Sequence, residues 1–139
     1  MTQPRTILHS QSPKLSAYNG TGTDIAANLC VMVDDTNEPD GVKLPAAADS
    51  PIKGITGPEG IKNGEYGSII VEAGAVCPIK NTSGVSAGDR LMPNTDGTVA
   101  TFSATGGTNK SFVGIANKDA ATLIADECTF AGPGQSRQG

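Results

Sequence analysis

A chain of 139 residues carrying a formal net charge of −4 has no basic stripe with which to neutralise phosphates, which argues against nucleic-acid binding. Hydrophobic residues make up 37% of it but aromatics only 4%, with Trp absent, so the core is built from small aliphatic groups and its margin over chain entropy is thin. No apolar run approaches the roughly 18 residues of a membrane span, and the first residues lack a signal-peptide core, so cytosolic synthesis is the expectation.

Residues 1–25 are polar and Pro-punctuated, with the scattered apolar side chains Ile7, Leu8, Leu15 and Tyr18. Too sparse to form a core, they read as an extended arm that orders against a neighbour. Residues 26–131 read as the folded domain. In "NLCVMVDD", Leu29, Val31 and Val33 fall on one face of a strand and Cys30 and Met32 on the other, apolar enough to be covered on both sides. "TNEPDG" turns into "VKLPA", "SPIKGITG" gives another strand, and "GPEGIKNGEYG" is nearly all turn chemistry. "YGSIIVEAGAVCPIK" reads as a hairpin of two strand segments with a kink at Gly74, because an interior Gly marks a bulge or a close backbone approach. "RLMPNTDGTVATF" reads as a hairpin turning at Asp96-Gly97, and "KSFVGIAN" and "LIADECTFA" close the domain. The tail, 132–139, has nothing to bury and reads as flexible.

An internal repeat runs through this order. "LCVMVDDTNEPDGVKLPAAADSPIKGI" parallels "DRLMPNTDGTVATFSATGGTNKSFVGI", each with a Met-bearing strand, a polar turn ending in Asp-Gly, a second strand, a small-residue loop and a closing Gly-Ile. The closing pairs are 60 positions apart (54 and 114) and the Asp-Gly turns 56 (41 and 97), so the copies differ by indels in their loops. Two such units joined by a hairpin predict a small, pseudo-symmetric barrel or sandwich.

The residues that carry chemistry are few. His9 is the sole His and falls in the arm, where no Ser–His–Asp or Cys–His site can be built around it. Asp35, Asn37 and Asp40 offer closely spaced oxygens, but "DDTNEPDG" lacks the Gly and the twelfth-position Glu of an EF-hand loop and reads as a turn. Glu59, Glu65 and Glu72 read as solvated turn charge, without the aromatic platform of a glycosidase. The glycines match no nucleotide loop. Cys30, Cys77 and Cys128 are odd in number and lie in apolar runs, which favours buried thiols over disulfides or a metal site. No cofactor, metal or catalytic constellation is therefore expected, and the chain reads as a non-enzyme whose surfaces bind other proteins.

The order of "IKGITG", "SIIVEAGAVCPIK", "SAGDRLMPNTDGTV" and "FVGIAN", with the Gly/Ala-rich composition, resembles the head-decoration, or cement, proteins of tailed bacteriophages, similar in outline to the lambda-type head-stabilising proteins. The resemblance covers roughly residues 26–131. It implies an all-β fold, a small Gly/Ala-rich β-barrel or sandwich (β-tulip-like) with an extended N-terminal arm. It also implies a homotrimer bound to the major capsid protein on the capsid exterior of the virion, after synthesis in the host cytoplasm, with neither nucleic acid nor membrane as partner. The arm residues Ile7, Leu8, Leu15 and Tyr18 are then the candidate capsid-binding side chains. The alternative is another virion or surface β module, such as a tail or fibre component, that binds a receptor or glycan.

Overall fold

The computed structural model describes residues 14–36, 39–103 and 109–138. Among them the chain is all-β, with strands β1 (Lys14–Tyr18), β2 (Cys30–Val33), β3 (Val42–Lys43), β4 (Gly54–Thr56), β5 (Tyr66–Ile70), β6 (Val76–Lys80), β7 (Arg90–Pro93), β8 (Val99–Thr101), β9 (Asn109–Ser111), β10 (Gly114–Ala116), β11 (Ala125–Phe130) and β12 (Ser136–Gln138). The 18 Gly and 9 Pro keep every strand short, because each turn signal ends one run before the next begins.

Two five-stranded antiparallel sheets share one plan. The first runs β1-β5-β4-β2-β3 and the second β6-β11-β10-β7-β8. Cross-strand rows match as well. Lys14, Ile70, Ile55 and Cys30 stand side by side across the first sheet. Val76, Thr129, Ile115 and Arg90 do so across the second. The adjacent row is Leu15–Ile69–Thr56 in the first and Cys77–Cys128–Ala116 in the second. Parallel bridges, Tyr18 to Gly41 and Asn81 to Val99, curl each sheet towards closure as a small barrel. The sequence repeat is thus a structural repeat. Its units extend further than the sequence indicated, because each begins one strand earlier, at β1 and at β6.

That boundary corrects the reading of residues 66–80 as a hairpin. β5 ends the first sheet and β6 opens the second; they do not pair. Gly74, at φ 88°, lies in the turn where the chain passes from one to the other. The indels sit elsewhere. Val42 and Val99, 57 positions apart, occupy the same place beside Val33 and Pro93, so the first hairpin loop is longer by three residues. The second unit recovers the three before β10, in the stretch that holds β9.

Two repeated features follow from backbone geometry. A Cβ on Gly54 would lie 2.6 Å from the Ile70 carbonyl oxygen, and one on Gly114 would collide with the Thr129 carbonyl, so the "GI" that closes each copy is set by close strand approach. Among the described residues, the two non-glycine residues with positive φ, Asn28 (63°) and Leu123 (64°), correspond to Gly88 and Gly64 of the other unit. The left-handed turn belongs to the fold, and each unit fills it with its own residue.

The core is two clusters. One lies inside the first unit and gathers Ala17, Ile25, Leu29, Val31, Val42, Ile61 and Ile69. The other joins Cys77, Ile79, Leu91, Val99, Cys128 and Phe130 of the second unit to Cys30, Ile55 and Ile70 from the outer face of the first sheet. The outer face of one unit therefore helps to fill the core of the next. Backbone bonds cross the same junction: Lys80 N–H donates to the Asn28 carbonyl (2.9 Å) and Cys30 N–H to the Gly97 carbonyl (2.7 Å).

Both ends of the described chain are more ordered than their composition indicates. Lys14–Tyr18, read as part of an arm, pairs along its whole length with β5. Ala17 is fully buried opposite Gly67, whose missing side chain leaves room for Ile61. The tail, read as flexible, pairs Ser136–Gln138 with β9. Arg137 stacks on Phe112 (4.5 Å), Phe112 meets Phe102 edge-on, and Arg90 covers Phe102 (5.2 Å). Such cation–π contacts contribute about 0.5–1 kcal/mol each when exposed.

Candidate protein-binding surface

Of the four candidate arm residues, Ile7 and Leu8 lie outside the described residues, as does His9. Leu15 and Tyr18 sit on β1 but do not converge. Leu15 is 41% exposed on the row beside Ile69. Tyr18 is half-buried on the opposite face, its ring 5.2 Å from that of Tyr66.

Glu59, Glu65 and Glu72 are exposed. Glu59 and Glu65 share an open cleft of about 270 Å³ with Lys14, Lys62 and Tyr66, and Glu72 is not among its lining residues. Asn37 falls outside the described residues, and Asp35 and Asp40 face solvent. Asp34 is buried, and its Oδ1 accepts bonds from the Thr36 N–H (3.2 Å) and hydroxyl (2.8 Å), which holds the turn. Among the described residues, no group of three or more His, Cys, Asp or Glu is placed to hold a metal ion.

The three thiols are unbridged and buried, and they meet at the junction between units. Cys77 and Cys128 face each other across β6 and β11. Desolvation raises all three pKa values. The Cys77 thiol is pushed up to about 12, with Cys128 adding to the effect, and that of Cys128 to about 11. Cys30, fully enclosed and close to both, is raised further still. None is a thiolate at neutral pH, so they pack as small hydrophobes.

Side chains whose only evident role is internal hold the loops. Asn19 Nδ2 donates to the carbonyls of Thr23 (2.8 Å) and Ile61 (2.9 Å). Asn81 Nδ2 donates to those of Ala121 and Ile124, both at 2.9 Å. Both Asn are buried, and each follows the first strand of its unit. Sequence reading missed the pair because it began each repeat too late.

Apart from Leu15, it also missed the exposed apolar groups, which give the surface its character. Among the described residues these are Leu15, Val33, Tyr66, Ile115, Leu123 and Ile124. Val33 was expected to be covered and is 48% exposed; β4 pairs with Cys30 and Val31 and stops short of Val33, which has β3 alone beside it. Leu123 and Ile124 crown the loop before β11, Leu123 in the left-handed conformation. Exposed apolar side chains of this kind mark a candidate surface for contact with another macromolecule.

No protein-family model matches the sequence, and no curated protein matches it. Among solved structures, the N base of the head fiber gp8.5 of bacteriophage phi29 is similar, with a TM-score of 0.63 at 14% identity, over 85% of this chain and 92% of that chain. At that identity the likeness is one of fold.

Proposed function

We propose that this chain is a structural protein of a phage virion that binds the outside of the assembled head and holds neighbouring major capsid protein subunits together. The observation that carries the reading is the shared fold with the base of a head fiber along most of both chains. The resemblance of the sequence to head-decoration proteins points the same way, and so does a surface whose exposed groups suit protein contact. A homotrimer fits the reading: small aliphatic cores gain from burial between protomers. Binding only to the assembled shell stabilises that shell by mass action.

The test is reconstitution. Heads assembled without this protein, expanded and then incubated with the purified chain, should resist heat or chelator better than untreated heads. Loss of Thr2–Ser12 should weaken binding while leaving β-type circular dichroism intact. Loss through Tyr18 also removes β1 and should lower the melting temperature of the free protein. Heads that neither bind nor gain resistance would overturn the proposal.

A second reading is a fibre component that binds a receptor glycan. Tyr66, 55% exposed beside the cleft with Glu59 and Glu65, gives it one specific support, since a sugar face stacks on an exposed ring. Glycan-array binding abolished by Tyr66→Ala would favour this reading over the first.

A further inference from the structure

The two units use one kind of surface differently. In the first sheet the row Cys30–Ile55–Ile70 has no exposed area, because it packs into the core of the second unit. Its counterpart in the second sheet is Arg90–Ile115–Thr129, where Ile115 is 40% exposed and Arg90 faces solvent. The receiving side shows the converse. Cys77 and Pro93 are buried in the second unit, and Cys77 shares a buried cluster with Cys30 of the first. Their counterparts in the first unit are Leu15 and Val33, both exposed. Ile115 and Leu15 therefore stand where the other unit uses the same positions for the junction between units, and Val33 stands where the other unit has a buried Pro93.

We propose that a second copy of this chain docks head to tail, the Arg90–Ile115–Thr129 row of one chain seated on the Leu15–Val33 side of the next, repeating between chains the packing that joins the two units within one. The equivalence of these positions to those of the internal junction selects the occupant. A self-complementary pairing would bring Ile115 against Ile115, and the internal junction offers no precedent for that. Such a contact is heterologous, so it generates a ring if the rotation closes and a filament if it does not. Arg90 and Thr129 replace Cys30 and Ile70, which makes the contact between chains more polar than the internal one and suits reversible association.

Sedimentation velocity on the purified protein, without heads, tests this separately from the virion reading. The wild-type chain should associate as its concentration rises. Ile115→Glu, and separately the double variant Leu15→Glu/Val33→Glu, should each weaken association about tenfold or more, because each buries an unpaired charge. Circular dichroism and melting temperature should stay at wild-type values, since all three positions are exposed. Should Ile115→Glu disturb the fold, Arg90→Glu on the same row replaces it. The deciding sample is a mixture of the two variants. Each retains the face the other has lost, so together they should form dimers at the wild-type affinity and stop there. A wild-type chain that stays monomeric at every concentration, variants that associate like wild type, or a mixture that stays monomeric would each overturn the proposal.

Discussion

The first and second units lay down the same five strands in the same order, yet they are buried differently. Ile55 of the first has no exposed area and Ile115 of the second is 40% exposed, although both sit at the same row of the same strand. Burial here is set by what stacks on a unit rather than by the local sequence, which is the behaviour of stacked repeats. What the units hold in common is backbone necessity: a glycine under a neighbouring carbonyl, an Asn bridging loop carbonyls, and left-handed turns at fixed places.

The largest expected effect tests the first of these. Gly114→Ala drives a Cβ into the Thr129 carbonyl and should destabilise by about 3 kcal/mol or more, while Gly54→Ala, with slightly more room, should cost about 1–3 kcal/mol. Urea unfolding of both variants measures the order, and an indifferent Gly54→Ala would break the equivalence of the units there. Next come Asn19→Ala and Asn81→Ala. Each leaves two carbonyls without their side-chain donor and should cost about 2 kcal/mol. Similar losses would sharpen the comparison, and a loss in one unit alone would show that the loops are held differently.

The thiols probe the junction between units. Their pKa values are raised by burial, so the unfolded chain loses protons first as pH climbs. Their contribution is fully present below the unfolded value, near 9, and is lost as pH rises through the folded values, about 11 for Cys128 and about 12 for Cys77. Denaturation midpoints should therefore fall between pH 9 and 12, and less steeply in a Cys77→Ala/Cys128→Ala variant. At pH 8, a thiol reagent should label the native protein slowly, Cys128 before Cys30. Rapid labelling of Cys30 would mean that the junction opens readily. The smallest effect is at Leu123. Replacing it by Gly, as the other unit has at Gly64, relieves a left-handed Leu at some entropic cost and should raise stability by about 0.5 kcal/mol, read as a small rise in melting temperature.

Much of this plan was legible in the sequence, since alternation and turn residues marked the strands, and the matched Met and Gly-Ile positions marked the repeat. What stayed hidden has physical causes. β1 was unreadable because Lys14, Leu15 and Ser16 are exposed and only Ala17 is buried, so no alternation betrays an edge strand. The division between β5 and β6 was unreadable because both are apolar, and only tertiary packing decides which sheet each joins. The tail pairs with β9 and sets Arg137 on Phe112, contacts that no local pattern encodes. The candidate surface was legible least of all. Ile115 and Ile55 are the same residue type in near-identical strands, and sequence cannot say which of them the second unit covers.

Attachment to the outside of a head is the central claim, and imaging the chain in place tests it most directly. Cryo-electron microscopy of virions, with and without this protein, should show added density confined to the outer face of the head at fixed lattice positions, large enough for both five-stranded units. Added density on the tail instead, or none on the head, would contradict the account.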